Sequence, residues 1–216
     1  MVICNSHNFI FLRIPKNAST SLASFFIKNC CNHAQDKWTG GGDASISPDS
    51  VIKKYRHQYR FIHLTLQELV DENLISEQNA LRRTAIGIIR NPFERQLSLF
   101  FFKNRRNNRS TPEQFRKEFK QGYHESDGSN HILQTEYLML NGRQHGEFWK
   151  YENIPVHLDD FVERMNINTK YPLRTYKSQF RARVNKSDDI DLFYDKETKR
   201  AVEKYYARDF EVYESL

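Results

Sequence analysis

Thr84-Ala85-Ile86-Gly87-Ile88-Ile89, running directly into Arg90-Asn91-Pro92-Phe93-Glu94-Arg95-Gln96-Leu97-Ser98, decides the fold. The first six residues form an apolar run without polar alternation, the pattern of a strand buried on both faces. Asn91 is a good N-cap and Pro92 suits the first helical position. The helix beyond carries Phe93, Leu97, Phe100 and Phe101 at helical spacing, so one face is expected in the core. A buried strand that passes straight into a helix is the building unit of a parallel sheet.

A second unit of the same kind lies near the amino terminus. Val2 to Ile14 holds two apolar stretches split by Asn5-Ser6-His7-Asn8, and the second, Phe9-Ile10-Phe11-Leu12, reads as a strand. Arg13-Ile14-Pro15-Lys16-Asn17-Ala18-Ser19-Thr20-Ser21-Leu22 follows, and Ser19 to Lys28 reads as a helix with Leu22, Phe25 and Phe26 inward. Working outward, Arg60 to Leu64 is a strand candidate, and Thr65 with Glu68 matches a capping box. Glu147 to Tyr151 is a last strand, His131 to Leu140 a helix, and Val156 to Met165 a helix packed through Leu158, Phe161, Val162 and Met165. Asp195 caps the final helix, with Ala201, Val202, Tyr205 and Tyr206 inward. The alternation gives an α/β protein with a parallel sheet flanked by helices on both faces, and residues 1–216 are expected to form one domain. Ligands of such sheets bind at the carboxyl ends of the strands, where both special segments lie.

Each segment places cations and hydroxyls where a helix begins. A helix start offers unpaired N–H groups and a positive dipole end, which attract phosphate-like groups. In the first segment Lys16 adds a full charge, Ser19, Thr20 and Ser21 add donors, and the backbone around Asn17 and Ala18 can curl around an oxyanion. In the second, Arg90 can grip two oxygens at once, and Ser98 lies about two turns into the helix. Together they suit a ligand with two separate phosphate-like groups. Taken singly, each also fits an ordinary capped helix, with Lys16 in solvent or Arg90 paired to Glu94. The Gly-x-x-x-x-Gly-Lys-Ser/Thr pattern of a Walker A loop is missing, which argues against a small kinase.

Composition narrows the partners. Of the 216 residues, 33 are Lys or Arg and 27 are Asp or Glu, a formal charge of +6 with a pI near 9.2. This balance suits an anionic partner. Nucleic acid is not expected, because no nucleic-acid motif or basic–aromatic stripe accompanies the charge. The run Lys103, Arg105, Arg106, Arg109 could hold an acidic glycan, but a solvated helix end is the favoured reading. Cys4, Cys30 and Cys31 have neither disulfide nor zinc spacing, so no metal is expected and reduced thiols are. No stretch is long and apolar enough to span a membrane, and no leader precedes the first strand, so a cytoplasmic location is expected.

The two segments resemble the motifs of the PAPS-dependent sulfotransferases, the carbohydrate sulfotransferase group in particular. That group's first motif reads like Ile-Pro-Lys-Thr-Ala-Gly-Thr-Ser-Leu and stands here as Ile14 to Leu22, with Asn17 and Ser19 in place of Thr and Gly. The second reads like Val-Arg-Asp-Pro-x-x-Arg-x-x-Ser and stands here as Ile89 to Ser98, with Asn91 in place of Asp. Weaker likeness continues at Lys150 to Ile154, Asn185 to Ser187 and Tyr205 to Phe210. The resemblance implies a P-loop-NTPase-like sulfotransferase fold and a sulfuryl transfer from 3′-phosphoadenosine 5′-phosphosulfate (PAPS) to a hydroxyl, expected on a carbohydrate. It also implies roles. Lys16 would sit at the bridging oxygen, and the backbone of Asn17, Ala18, Ser19, Thr20 and Ser21 would hold the 5′-phosphate. Arg90 and Ser98 would bind the 3′-phosphate, and Asn185 to Ser187 would cover the nucleotide.

A hydroxyl acceptor must lose its proton, so a general base is expected. His63 is the first choice, because imidazole titrates near neutrality and a His or Glu between the motifs often serves the resembling group. A structural His63 is the alternative, and Glu68 is a rival already explained by its capping position. His57, His124, His131 and His145 lie in polar surroundings and are expected to be exposed, with His131 a further possible wall of the acceptor site. The loops Asp36–Asp49, Gln121–His131 and Thr169–Asp189 are the other expected walls, and Tyr205 and Tyr206 read as core. A nucleotide- or phosphate-binding protein of another class, and a non-catalytic relative that binds glycan alone, are the competing readings. The presence of Lys16 argues against the second.

Overall fold

In the computed structural model, residues 1–30, 37–38, 60–104, 110–121, 132–174 and 190–216 are described. A five-stranded sheet organises them, in the order β3-β1-β2-β4-β7. Its strands are β1 (Val2–Cys4), β2 (Phe9–Phe11), β3 (Lys37–Trp38), β4 (Thr84–Ile89) and β7 (Glu147–Lys150). A two-stranded ribbon, β5 (Met139–Leu140) with β6 (Arg143–Gln144), stands apart from it. β2, β4 and β7 run parallel, with Phe11 opposite Ile86 and Gly87 opposite Phe148. β1 is antiparallel to both its neighbours. The sheet is thus parallel from β2 to β7 and antiparallel at the β1–β3 edge. The first apolar stretch is itself a strand, joined to β2 through the polar turn at Asn5 to Asn8.

The helices are α1 (Ser19–Asn29), α2 (Leu66–Asp71), α3 (Glu77–Leu81), α4 (Pro92–Lys103), α5 (Pro112–Lys120), α6 (Ile154–Arg164), α7 (Ile190–Phe193), α8 (Lys196–Tyr205) and α9 (Ala207–Ser215). They cover both faces of the sheet. Alternation along the strands sorts the side chains. Phe9, Phe11, Ile86 and Ile88 point toward α1 and α6, while Ile10, Leu12, Ala85 and Ile89 point toward α2. Phe26 of α1 packs its ring 5.0 Å from Phe9, 5.1 Å from Phe11 and 5.8 Å from Phe161. Truncating such a ring to alanine costs about 3–5 kcal/mol. A third cluster joins α4, α5, α7 and α8 through Phe100, Phe101, Phe115, Phe193, Val202 and Tyr206.

Gly87 has a specific job in the central strand. A Cβ there would lie 3.1 Å from Phe148, 3.2 Å from Ile14 and 3.4 Å from Leu138. Its absence makes room for Phe148 and Ile14, while Leu138 of the 3-10 helix Gln134–Leu138 stands at ordinary contact distance.

Some expectations are corrected. Arg60–His63 is a 3-10 turn, not a strand. Two apolar residues, Phe61 and Ile62, are too few to distinguish strand from turn by periodicity. The stretch expected as a helix to Leu140 is the 3-10 helix followed by β5. Asp195 caps α8, but the chain breaks at Tyr206 and α9 follows. Val202 and Tyr206 are buried as expected, whereas Ala201 and Tyr205 are exposed. His145 is half-buried and bonded through Nε2 to the carbonyls of Ala80 and Arg83, rather than exposed. No helix among the described residues is long and apolar enough to cross a membrane.

Candidate functional site

β2 and β4 are parallel neighbours, so their carboxyl ends deliver both special turns to one edge of the sheet. The first turn departs from ordinary backbone. Lys16 and Ala18 have φ of 70° and 55°, in the left-handed region, although neither is glycine. Each costs about 1–2 kcal/mol relative to the right-handed region. Ala18 is the N-cap of α1 and caps it with no side chain. By contrast Thr65, Ser76, Asn91, Thr111 and Asp195 cap α2, α3, α4, α5 and α8 through their side chains. α6 and α9 also lack such caps, but each continues from a helical turn before it. α1 begins instead from a strained turn, in which the Ala18 carbonyl accepts from Ser21 N at 2.9 Å and from Leu22 N at 3.3 Å.

Three cations surround that turn. Lys16 Nζ stands 4.3 Å above the Phe102 ring of α4. Arg13 is buried and donates through Nη2 to Thr20 Oγ1 at 3.2 Å. Burial lowers its pKa to about 10, which leaves it charged at neutral pH. Arg95 is fully buried and donates to the carbonyls of Pro15 (3.4 Å) and Ile132 (3.2 Å). Asn17 is also fully buried and acts through its side chain, which donates to Ile88 O at 2.6 Å and to Gln134 Oε1 at 2.5 Å. The sequence reading gave Asn17 a backbone role and missed this strut.

The second turn has Arg90 as its cation. Its Nη1 donates to Lys16 O at 3.3 Å, so the two turns touch. Its Nη2 pairs with Glu94 at 2.7 Å, and its plane lies 4.4 Å from the centre of the Tyr151 ring. Arg90 Nε is buried without a hydrogen-bond partner among the described residues. Asn91 caps α4 by accepting from Phe93 N at 3.0 Å, and Pro92 takes the first turn. Glu94, Ser98 and Phe102 recur every four residues along α4 and therefore form one stripe. Arg90 meets that stripe at Glu94 and Lys16 meets it at Phe102, which brackets the half-buried Ser98 between the two cations.

His63 approaches the first turn from the 3-10 helix ahead of α2. Its Nδ1 hydrogen-bonds the carbonyl of Arg13. A carbonyl only accepts, so Nδ1 carries the proton and Nε2 is the acceptor nitrogen of the neutral ring. Burial pushes its pKa down to about 3, and the positive charges of Arg13, the amino terminus and Arg95 push the same way. The rival Glu68 completes the capping box, accepting from Thr65 N at 2.9 Å while Thr65 Oγ1 accepts from Glu68 N at 3.2 Å.

Lys16, Asn17, Ala18, Ser19, Thr20, Ser21, Arg90 and Ser98 are therefore gathered at one place, with His63 against the same turn through Arg13. His57, His124, His131, Arg105, Arg106, Arg109 and Asn185–Ser187 lie outside the described residues. So do most of the three loops expected as acceptor walls. Lys103 is exposed and pairs with Glu118 at 3.6 Å. Among the described residues no cluster of three or more His, Cys, Asp or Glu side chains could hold a metal ion. The sequence reading missed Arg13, Arg95 and Gln134 as members of the site. Arg95 carried a signal, since it occupies a fixed position of the second motif without being needed for a helix cap.

Comparison with curated proteins and with solved structures gives no match. A family model does match, over residues 1–214 and so nearly the whole chain. It covers both turns and the sheet that joins them, and on that match the chain belongs to the sulfotransferase family, whose reaction is sulfuryl transfer.

Proposed function

We propose that this protein transfers the sulfuryl group of PAPS to a hydroxyl acceptor, expected on a carbohydrate, and that the two turns divide the donor between them. The observation that carries this reading is the bracketing of Ser98. Two cations from two different strands, Lys16 and Arg90, meet one stripe of α4 on either side of a hydroxyl. A ligand with a single phosphate needs only one of them. The orphaned Arg90 Nε and the uncapped start of α1 are the donors that a ligand with two anionic groups would satisfy.

PAPS supplies an activated sulfuryl group on a phosphate leaving group. In this reading the backbone from Asn17 to Ser21, across the turn and the start of α1, holds the 5′-phosphate, and Arg90 with Ser98 holds the 3′-phosphate. Lys16 places its ammonium on the oxygen that bridges phosphorus and sulfur. As the acceptor oxygen bonds to sulfur and the bridging S–O bond breaks, Lys16 stabilises the charge left on the phosphate oxygen. Arg13 orients the Thr20 hydroxyl by donating to its oxygen, which leaves the Thr20 proton for the anion.

His63 is the proposed base. Its neutral, Nδ1-protonated form at physiological pH is the form a base must have. With its pKa near 3 in the donor-free protein, the imidazole becomes a stronger base only as that value rises. The negative charge of a bound donor beside Arg13 and Arg95 would raise it. A cytoplasmic location and a single domain over residues 1–216 belong to the same proposal.

Calorimetric titration with 3′,5′-ADP and, separately, with 5′-ADP tests the donor assignment. The expected result is a preference of about 10²-fold for 3′,5′-ADP, the worth of one phosphate held by charge-assisted bonds. Equal affinities, or no binding, would remove the 3′-phosphate from the second turn. Labelled PAPS with a panel of glycans then tests the acceptor class, and transfer to non-carbohydrate hydroxyls alone would overturn that part.

A further inference from the structure

Gln134 lies in the 3-10 helix, remote in sequence from both turns, yet it is bonded to each of them. It is fully buried, and its side-chain amide makes all the hydrogen bonds an amide can make. Oε1 accepts from Asn17 Nδ2 at 2.5 Å and from Arg90 N at 2.9 Å. Nε2 donates to Arg90 O at 2.9 Å and to Asp209 Oδ2 at 3.3 Å. The orientation of the amide is dictated by its partners, because Arg90 N–H can only donate and Arg90 C=O can only accept. Gln134 thus pairs with the backbone of Arg90 on both sides, as a neighbouring strand would, just where β4 ends. The same oxygen holds the strut from the first turn.

Asp209 of α9 fixes Gln134 in turn. It is fully buried, and its carboxylate accepts from Gln134 N at 2.9 Å, Thr135 N at 3.0 Å and Thr135 Oγ1 at 3.0 Å. No side chain within the 3-10 helix caps its start, so the C-terminal helix provides the acceptor from outside.

We infer that Gln134, held by Asp209, is a positioning residue that sets the spacing between the two anion turns, so that both ends of a ligand with two phosphate-like groups can be held at once. The inference rests on the proposed division of the donor between the turns. It assigns no contact with the ligand to Gln134. Its effect is on geometry, and geometry matters most for a ligand that must satisfy both turns together.

The test uses the full chain and two variants, Gln134→Met, which keeps length and volume, and Asp209→Asn, which is milder. Each is titrated with 3′,5′-ADP, 5′-AMP and 3′-AMP, and backbone hydrogen exchange is followed by mass spectrometry. For Gln134→Met the expected result is a loss of about 10–100-fold for 3′,5′-ADP and under about 3-fold for either monophosphate. Asp209→Asn should shift the same ratio less. Exchange should rise together at residues 15–21 and 88–92 in both variants, with α5 and α8 unchanged. A merely structural role would lower Tm without moving the ligand ratio or singling out those two segments. Equal losses for all three ligands, or unchanged exchange at both turns, would overturn the inference. If the unaltered protein shows no preference for 3′,5′-ADP, the donor reading fails, and the exchange result still decides whether Gln134 holds the two turns together. If Gln134→Met does not fold, Asp209→Asn decides both readouts.

Discussion

The two turns that the proposal assigns to the donor's anionic groups leave neighbouring parallel strands at the same edge of the sheet, yet they are built in opposite ways. The second draws its helix cap and its ion pair from local residues, and only its Arg90 backbone is held from afar, by Gln134. Asn91 caps its helix, Pro92 sets the first turn, and Arg90 is matched within four residues by Glu94. The first is strained at Lys16 and Ala18, caps nothing with a side chain, and is held from afar by Asn17, Arg95 and Gln134. Strain of this kind persists only where surrounding structure over-determines it, and it concentrates at functional sites. On the proposed function, the strained turn is the one that meets the transition state and the locally capped turn is the one that recognises the donor.

The largest expected effect separates these roles. Lys16→Ala should lower the rate of sulfuryl transfer by about 10²–10³-fold while 3′,5′-ADP binds within a few-fold, as for removal of a charge-stabilising donor. Arg90→Ala should instead weaken 3′,5′-ADP by about 10²-fold and leave 5′-ADP nearly unchanged. Single-turnover assays with PAPS, beside calorimetry, read both. If Lys16→Ala lost binding and kept its rate, or Arg90→Ala weakened both nucleotides alike, the division of labour would be broken.

Acid should find the first turn before the second, through His63. The imidazole titrates near 3 in the folded protein against an ordinary value of 6.5. Between those values the unfolded chain binds more protons than the folded one, so stability falls as pH falls. The loss begins below about 6.5 and is complete near 3. His63→Gln should flatten this part of the decline, as measured by urea unfolding at neutral pH and in mild acid. An unchanged slope would mean that His63 is not buried neutral against Arg13.

Much of this comparison was legible in the sequence, and the reason is range. β4, the Asn91 cap, the Thr65 capping box and the helix after each turn depend on residues within one turn or strand of one another. The hairpin edge was not legible, because β1 is only three residues long and looks like any apolar fragment. The 3-10 turn at Arg60–His63 looked like a strand for the same reason. The Asn17 strut and the Gln134–Asp209 pair were beyond reach, since Asn17 meets Gln134 across 117 positions and Gln134 meets Asp209 across 75. No local pattern marks a glutamine as the bond between two turns.

That contrast in range has a thermodynamic counterpart. Asn17→Ala removes two buried side-chain bonds and should cost about 2–3 kcal/mol. Asn91→Ala removes one helix cap and should cost about 1 kcal/mol. Denaturant midpoints compared at constant m check the pair. Equal costs would indicate that the first turn does not depend on its distant strut.

The smallest effect carries an opposite sign at the two turns. Ala18 sits at φ 55° and ψ 11°, where its Cβ is disfavoured by about 1–2 kcal/mol. Glycine relieves that strain but loses about 0.5–1 kcal/mol to the greater freedom of the unfolded chain. Ala18→Gly should therefore stabilise the protein by up to about 1 kcal/mol. Asn91, at φ −46°, carries no such strain. Asn91→Gly loses the cap and should destabilise by a few tenths of a kcal/mol. Thermal unfolding of the two variants side by side reads the signs. A lower Tm for Ala18→Gly, comparable with that of Asn91→Gly, would show that the first turn stores no backbone strain, and the account of it as a loop forced into shape from outside would fall.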